Sequence, residues 1–137
     1  MTPEKTISIG GKDVCICYCA ATENGFEQIS TNSINVFFPT FGKDEDGNDI
    51  IIQPAKATIA DLVTLAFAGI VSAYAKRNEQ PPITSEYILY DATPQERNDL
   101  ITVIVELRNE WYKLPQTVKD TMKNDTAGQE ELTPKND

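Results

Sequence analysis

Three cysteines, Cys15, Cys17 and Cys19, occupy alternate positions within five residues. Thiolates at that density could bind a soft metal ion. Structural zinc, however, takes four ligands, usually a Cys pair two to four residues apart plus Cys or His elsewhere. The sequence has no fourth cysteine and no histidine. The alternation suits three thiols along one face of a strand in a reducing cytoplasm. Without histidine, the commonest general base and the usual pH switch are missing. Ser8, Ser30, Ser33, Ser72 and Ser85 have no imidazole to activate them, so a Ser-His-Asp triad cannot form.

The other chemistry-bearing patterns fail on spacing. Asp44-Glu45-Asp46-Gly47-Asn48-Asp49 is acidic enough to suggest calcium. With Gly47 at the sixth position of an EF-hand loop, Gly42 falls at the first and Gln53 at the twelfth, where a ligating acid is required. A solvated hairpin tip fits better, since Asp-Gly and Gly-Asn form turns. Gly10-Gly11-Lys12 is followed by Asp13 and a strand, whereas a phosphate loop needs Ser or Thr and then a helix. The acid pairs Asp44/Asp46 and Glu106/Glu110 read as solvated charge, because nothing nearby suggests an apolar pocket that would split their pKa values. No enzyme activity and no cofactor is expected. The aromatics Phe37, Phe38 and Phe41, with Trp111 and Tyr112, carry two readings: core packing, or an exposed patch that binds a protein partner.

The elements that must position these residues are legible in part. Ile7-Ser8-Ile9 and Val14 to Tyr18 alternate around Gly10-Gly11, which predicts a β-hairpin with the cysteines on one face and Val14, Ile16 and Tyr18 on the other. Ala20 to Ser30 reads as a short helix with Phe26 and Ile29 turned inward. Ile34 to Phe38 reads as extended, and Pro39 ends it. Ile50-Ile51-Ile52, after the acidic turn, reads as a buried strand and completes a second hairpin. Ile59 to Lys76 is the clearest helix. Ile59, Leu62, Val63, Ala66, Phe67, Ile70, Val71 and Tyr74 form its apolar stripe, with Thr58 as N-cap. A small helix over Tyr87 to Tyr90 follows Pro81-Pro82. Thr93-Pro94-Gln95-Glu96 opens a last helix with a capping box and proline in its first turn. That helix presents Leu100, Ile101, Ile104, Val105, Leu107, Arg108 and Trp111, and stops before Pro115.

The fold class expected is α+β, mainly α: N-terminal hairpins packed on a small helical bundle, followed by a disordered tail. Residues 1–115 read as one globular domain and residues 116–137 as a polar, largely disordered tail. The 137 residues carry a net charge of −9, from 12 basic and 21 acidic side chains. Such a surface repels phosphate backbones and anionic lipid, which argues against nucleic-acid or membrane partners. The longest apolar stretch, Leu62 to Ala75, falls short of the ~20 residues that span a bilayer. The polar start Met1-Thr-Pro-Glu-Lys shows no secretory signal, so a cytoplasmic location is expected.

The order of parts resembles a family. An Ile7-Ser8-Ile9-Gly10-Gly11-Lys12 start leads into a Cys/Tyr-rich second strand and a short helix. A long apolar helix, a small helix introduced by Pro82-Ile83-Thr84, a Thr-Pro-Gln-Glu-capped helix and a polar tail follow. Over roughly residues 7–114 this pattern resembles the tail assembly chaperones of long-tailed bacteriophages and their prophage relatives. The resemblance implies a non-enzymatic factor in the cytoplasm of the bacterial host. Such factors coat the tape-measure protein, recruit tail-tube subunits and are absent from the finished virion. Many are also made in a longer, frameshifted form. Self-association is a further expectation. The resemblance lies in the order of elements, and it transfers no individual site residue. Two other readings remain open: a structural adaptor or tail-completion subunit of a phage-like particle, and a cytosolic protein-binding regulatory module.

Overall fold

The computed structural model describes residues 2–113. The expected tail over residues 116–137 lies outside the described residues. The elements run β1 (Glu4–Ile9), β2 (Lys12–Cys17), α1 (Ala20–Ser30), a 3-10 turn (Ile34–Phe37), β3 (Thr40–Lys43), β4 (Asp49–Gln53), α2 (Ile59–Ala75), a π-helical turn (Tyr87–Asp91) and α3 (Pro94–Tyr112). The fold is α+β and mainly helical, with antiparallel hairpins at its N-terminal side packed against a small helical bundle.

Local chemistry explains the boundaries. Gly10 and Gly11 take φ of 60° and 75°, the left-handed geometry that a two-residue hairpin turn demands, and Ile9 pairs with Lys12. Thr58 and Asp61 cap α2 reciprocally: Asp61 N donates to Thr58 Oγ1 at 3.1 Å, and Thr58 N donates to Asp61 Oδ2 at 2.9 Å. Thr93 and Glu96 do the same for α3, with Pro94 in its first turn. Glu96 also accepts the backbone N–H of Gly10 at 2.8 Å and the Tyr87 hydroxyl at 2.9 Å. One carboxylate therefore fixes the hairpin turn and the π-helical turn to the start of α3.

α2 is the central element and touches β2, α1 and α3. Its approach to β2 is closest at Gly69, where an added Cβ would stand 2.7 Å from the Cys17 carbonyl oxygen. The small side chains of Ala66, Ala68, Gly69, Ser72 and Ala73 are therefore buried beside the larger Leu65 and Ile70. Ile9, Val14, Ile16, Tyr18 and Phe26 close the core from the hairpin and α1, and Leu100, Ile104 and Leu107 close it from α3.

Several expected details differ. Ile34–Phe37 is a 3-10 turn rather than extended chain: the Ser33 side chain accepts from Asn35 N, and Pro39 follows one residue after the turn. Ile50, Ile51 and Ile52 are 41%, 58% and 60% exposed, because among the described residues no element packs closely on the β3–β4 hairpin. Ile29 is also exposed, since it lies where α1 ends rather than under α2. The cysteines do not share one exposure: Cys17 is fully buried beneath α2, while Cys15 and Cys19 are half-buried. In α3, Val103 joins the core and Val105 faces outward. The acidic turn is the solvated tip expected. Asp44 Oδ1 accepts the N–H groups of Asp46 and Asn48, both at 2.9 Å, and Gly47 takes φ of 83°.

Candidate functional site

The apolar stripe assigned to α2 splits between two faces. Ala66, Ile70 and Tyr74 are buried, but Ile59 and Val71 are exposed, and Val63 and Phe67 are only half-buried. The close approach at Gly69 turns the small-residue face inward, so the larger side chains one step around the helix face out. α2 is thus apolar nearly all round, a pattern that belongs to helices with neighbours on every side.

The outward stripe lines a groove of about 410 Å³. Ala60, Val63, Thr64 and Phe67 of α2 line it together with Ile88 and Leu89 of the π-helical turn, Ile29 of α1, Ser85 and Arg97. The π-helical turn places consecutive residues on different sides of the backbone. Ile88 is buried and anchors the turn, whereas Leu89 is 72% exposed at the groove's lip. A smaller hollow lined by Ile59, Pro94, Arg97 and Ile101 extends the same apolar strip toward the start of α2. Apolar surface of this extent, with Arg97 as the sole charged lining residue, suits an apolar side of another polypeptide.

The aromatic residues nominated from sequence fall in three settings. Phe37 is buried and meets Phe26 edge-on at 5.0 Å between ring centroids. Phe38 and Tyr112, 74 residues apart in sequence, meet edge-on at 5.7 Å. The Arg108 guanidinium lies 5.9 Å from the Phe37 ring, 4.7 Å from Phe38 and 5.2 Å from Tyr112. Its Nη2 donates to the Phe37 carbonyl at 3.3 Å. Arg108 thereby ties the 3-10 turn to the end of α3. Glu23 accepts hydrogen bonds from the Tyr18 hydroxyl at 2.7 Å and from the Tyr112 hydroxyl. Burial, and then the Glu23 carboxylate, push the Tyr18 hydroxyl far above its ordinary range and Tyr112 up to about 12. Trp111 is half-buried against the core. Phe41 sits apart from this cluster, exposed on β3.

Cys17, Thr22 and Ser72 form a buried polar knot where β2, α1 and α2 meet. Thr22 Oγ1 lies 2.8 Å from Ser72 Oγ, donates to the Cys17 carbonyl at 3.2 Å and accepts the Cys19 N–H at 3.1 Å. Ser72 donates to the Ala68 carbonyl at 2.8 Å. Proximity of the Cys17 thiol, with the backbone N–H groups of Thr22 and Ala21, draws the Cys19 thiol below its ordinary range. The same contact, together with burial, raises Cys17. Among the described residues no group of three or more Cys, Asp or Glu side chains could hold one metal ion, and no helix is long and apolar enough to cross a membrane.

No family model, no curated protein and no solved structure matches this chain. The α2 groove escaped the sequence reading because its residues were spent on the core. The available signal was a surplus: Ile59 to Tyr74 holds more apolar side chains than one helix face can bury.

Proposed function

We propose that this chain is a non-enzymatic binding module that holds an apolar helical segment of another polypeptide in the α2 groove. The outward stripe Ile59, Val63 and Phe67 carries the reading. These side chains leave apolar surface in water on a helix whose opposite face is already fully packed. The order of elements that resembles the tail assembly chaperones supplies the biological setting. The occupant is then a helix of the tape-measure protein, tail-tube subunits are the second partner, and the work is done in the host cytoplasm. The net charge of −9 supports the role, because it keeps a carrier of sticky surface soluble and apart from nucleic acid.

The test is co-expression with a phage tape-measure polypeptide. The expected result is that the tape-measure protein becomes soluble and co-purifies. Val63→Asp places a charge in the groove at a residue half-buried against the core, and should abolish co-purification while the circular dichroism stays unchanged. A tape-measure protein equally soluble without this chain, or a complex indifferent to Val63→Asp, refutes the proposal. Recovery of the chain in purified particles would instead favour a structural adaptor.

A further inference from the structure

We infer that two copies of this chain pair edge to edge through β4, forming a four-stranded antiparallel sheet in the order β3-β4-β4-β3. The inference rests on the β3–β4 hairpin and shares no residue with the α2 groove.

Among the described residues, no element packs closely on this hairpin, and every residue of β4 is exposed. Phe41 and Ile51 face each other across the ladder on one side, so Ile50 and Ile52 project from the other. Both faces are therefore apolar and wet. A lone two-stranded hairpin with neither face covered is marginal in water. The hairpin needs a partner that supplies both more strands and more apolar surface.

The strand edges differ in how they meet that need. The β1 edge carries Glu4 and Lys5, which are engaged by Arg77 at 2.6 Å and Glu106 at 2.7 Å. The β3 edge is bracketed by Pro39 and by Lys43, itself paired with Asp49 at 2.6 Å. Proline and charge are the usual guards of an open edge. β4 reads Asp-Ile-Ile-Ile-Gln, with no charge or proline in its centre; its ladder with β3 skips Ile52, and among the described residues no strand lies on its second side.

The same five residues are complementary to themselves. Antiparallel pairing about Ile51 sets Ile50 opposite Ile52 of the second copy, Ile51 opposite Ile51, and Asp49 opposite Gln53, so no like charges meet. The acidic tips at Asp44, Glu45 and Asp46 go to opposite ends of the paired sheet. Each then points toward the Pro54–Ala55–Lys56 segment of the other copy, where exposed Lys56 offers the opposite charge. A parallel arrangement would bring the two acidic tips together.

Sedimentation equilibrium of the full chain tests this directly. The expected mass is twice the 15.2 kDa of one chain, returning to a single chain for Ile51→Lys, which places two ammonium groups face to face. Ile51→Cys gives a second readout. Opposed residues of an antiparallel pair lie within disulfide reach, so mild oxidation should cross-link this variant into a covalent dimer. Ile59→Cys, exposed on α2, should not cross-link beyond the wild-type level. A mass of one chain at all concentrations overturns the inference. So does a dimer that survives Ile51→Lys, or cross-linking through Ile59→Cys in place of Ile51→Cys. Groove binding by the Val63→Asp variant is read separately, so either proposal can fail alone.

Discussion

Replacing Gly69 with alanine tests the contact that orients α2. In a helix interior, Gly→Ala normally stabilises by about 1 kcal/mol, because glycine loses more backbone freedom on folding. At Gly69 the new Cβ would lie 2.7 Å from the Cys17 carbonyl oxygen, 2.9 Å from Ile16 Cγ2 and 3.1 Å from Ile104 Cδ1. The first of these is backbone and cannot rotate away, so α2 must lift off β2. Overpacking of this kind costs about 1–3 kcal/mol. A fixed backbone contact at 2.7 Å puts the strain at the upper end of that range, about 2–3 kcal/mol, so it outweighs propensity and the net expectation is a loss of about 1–2 kcal/mol. For a folded unit of this size, at about 3–6 °C per kcal/mol, that lowers Tm by about 3–12 °C. Gly25→Ala is the internal control. Its Cβ would meet only Ala68 Cβ, at an ordinary 3.5 Å, within α1. The same chemical change there should stabilise by about 0.5–1 kcal/mol. Urea denaturation followed by circular dichroism would measure both. If Gly69→Ala proves as stable as Gly25→Ala, the tight β2–α2 contact does not set the rotation of α2, and the account of its outward stripe fails with it.

Two further perturbations probe the joints around this contact. Thr22→Val keeps the shape but strips the hydroxyl from Cys19 N–H, the Cys17 carbonyl and Ser72, and should cost about 1–3 kcal/mol in urea denaturation, with Thr22→Ser recovering most of it. A valine variant as stable as wild type would show that the knot contributes nothing net. Glu96 is held below its ordinary value of 4.5 by the Gly10 N–H first, then by the Thr93 N–H and the Tyr87 hydroxyl. A depressed carboxylate stabilises the fold fully above its unfolded value and loses that contribution as pH falls through the folded one. Stability measured from about pH 6 down to about pH 3 should therefore fall less steeply in Glu96→Gln than in wild type. Equal slopes would show that this carboxylate does not fasten the hairpin turn to α3.

Much of the fold was legible because local chemistry is strong at its element ends. Gly10-Gly11, Thr58 with Asp61, and Thr93-Pro94 with Glu96 each satisfy backbone groups within a few residues, so hairpin and helices appear where expected. Periodicity was less informative about which face is buried. Leu65 and Val103 lie outside the stripes read from sequence yet are buried, while Ile59, Val105 and Ile50–Ile52 are not. A run of isoleucines shows only that a strand can be covered, and cannot show whether this chain supplies the cover. The site was legible in fragments. Phe38 and Tyr112 were each singled out, but their meeting around Arg108 depends on how α3 passes the 3-10 turn.

The sequence by itself determined the menu of elements, the acidic surface and the lack of histidine-based chemistry, since all three depend on residue type and near neighbours. The tertiary structure decided which side of α2 is inside. That choice was made by volume. Gly69 and its small neighbours admit the β2 backbone where a larger side chain would not, and one close approach between distant segments fixes the helix rotation. Val63 and Phe67 line an open groove because a glycine two residues further along had nothing to keep the strand away.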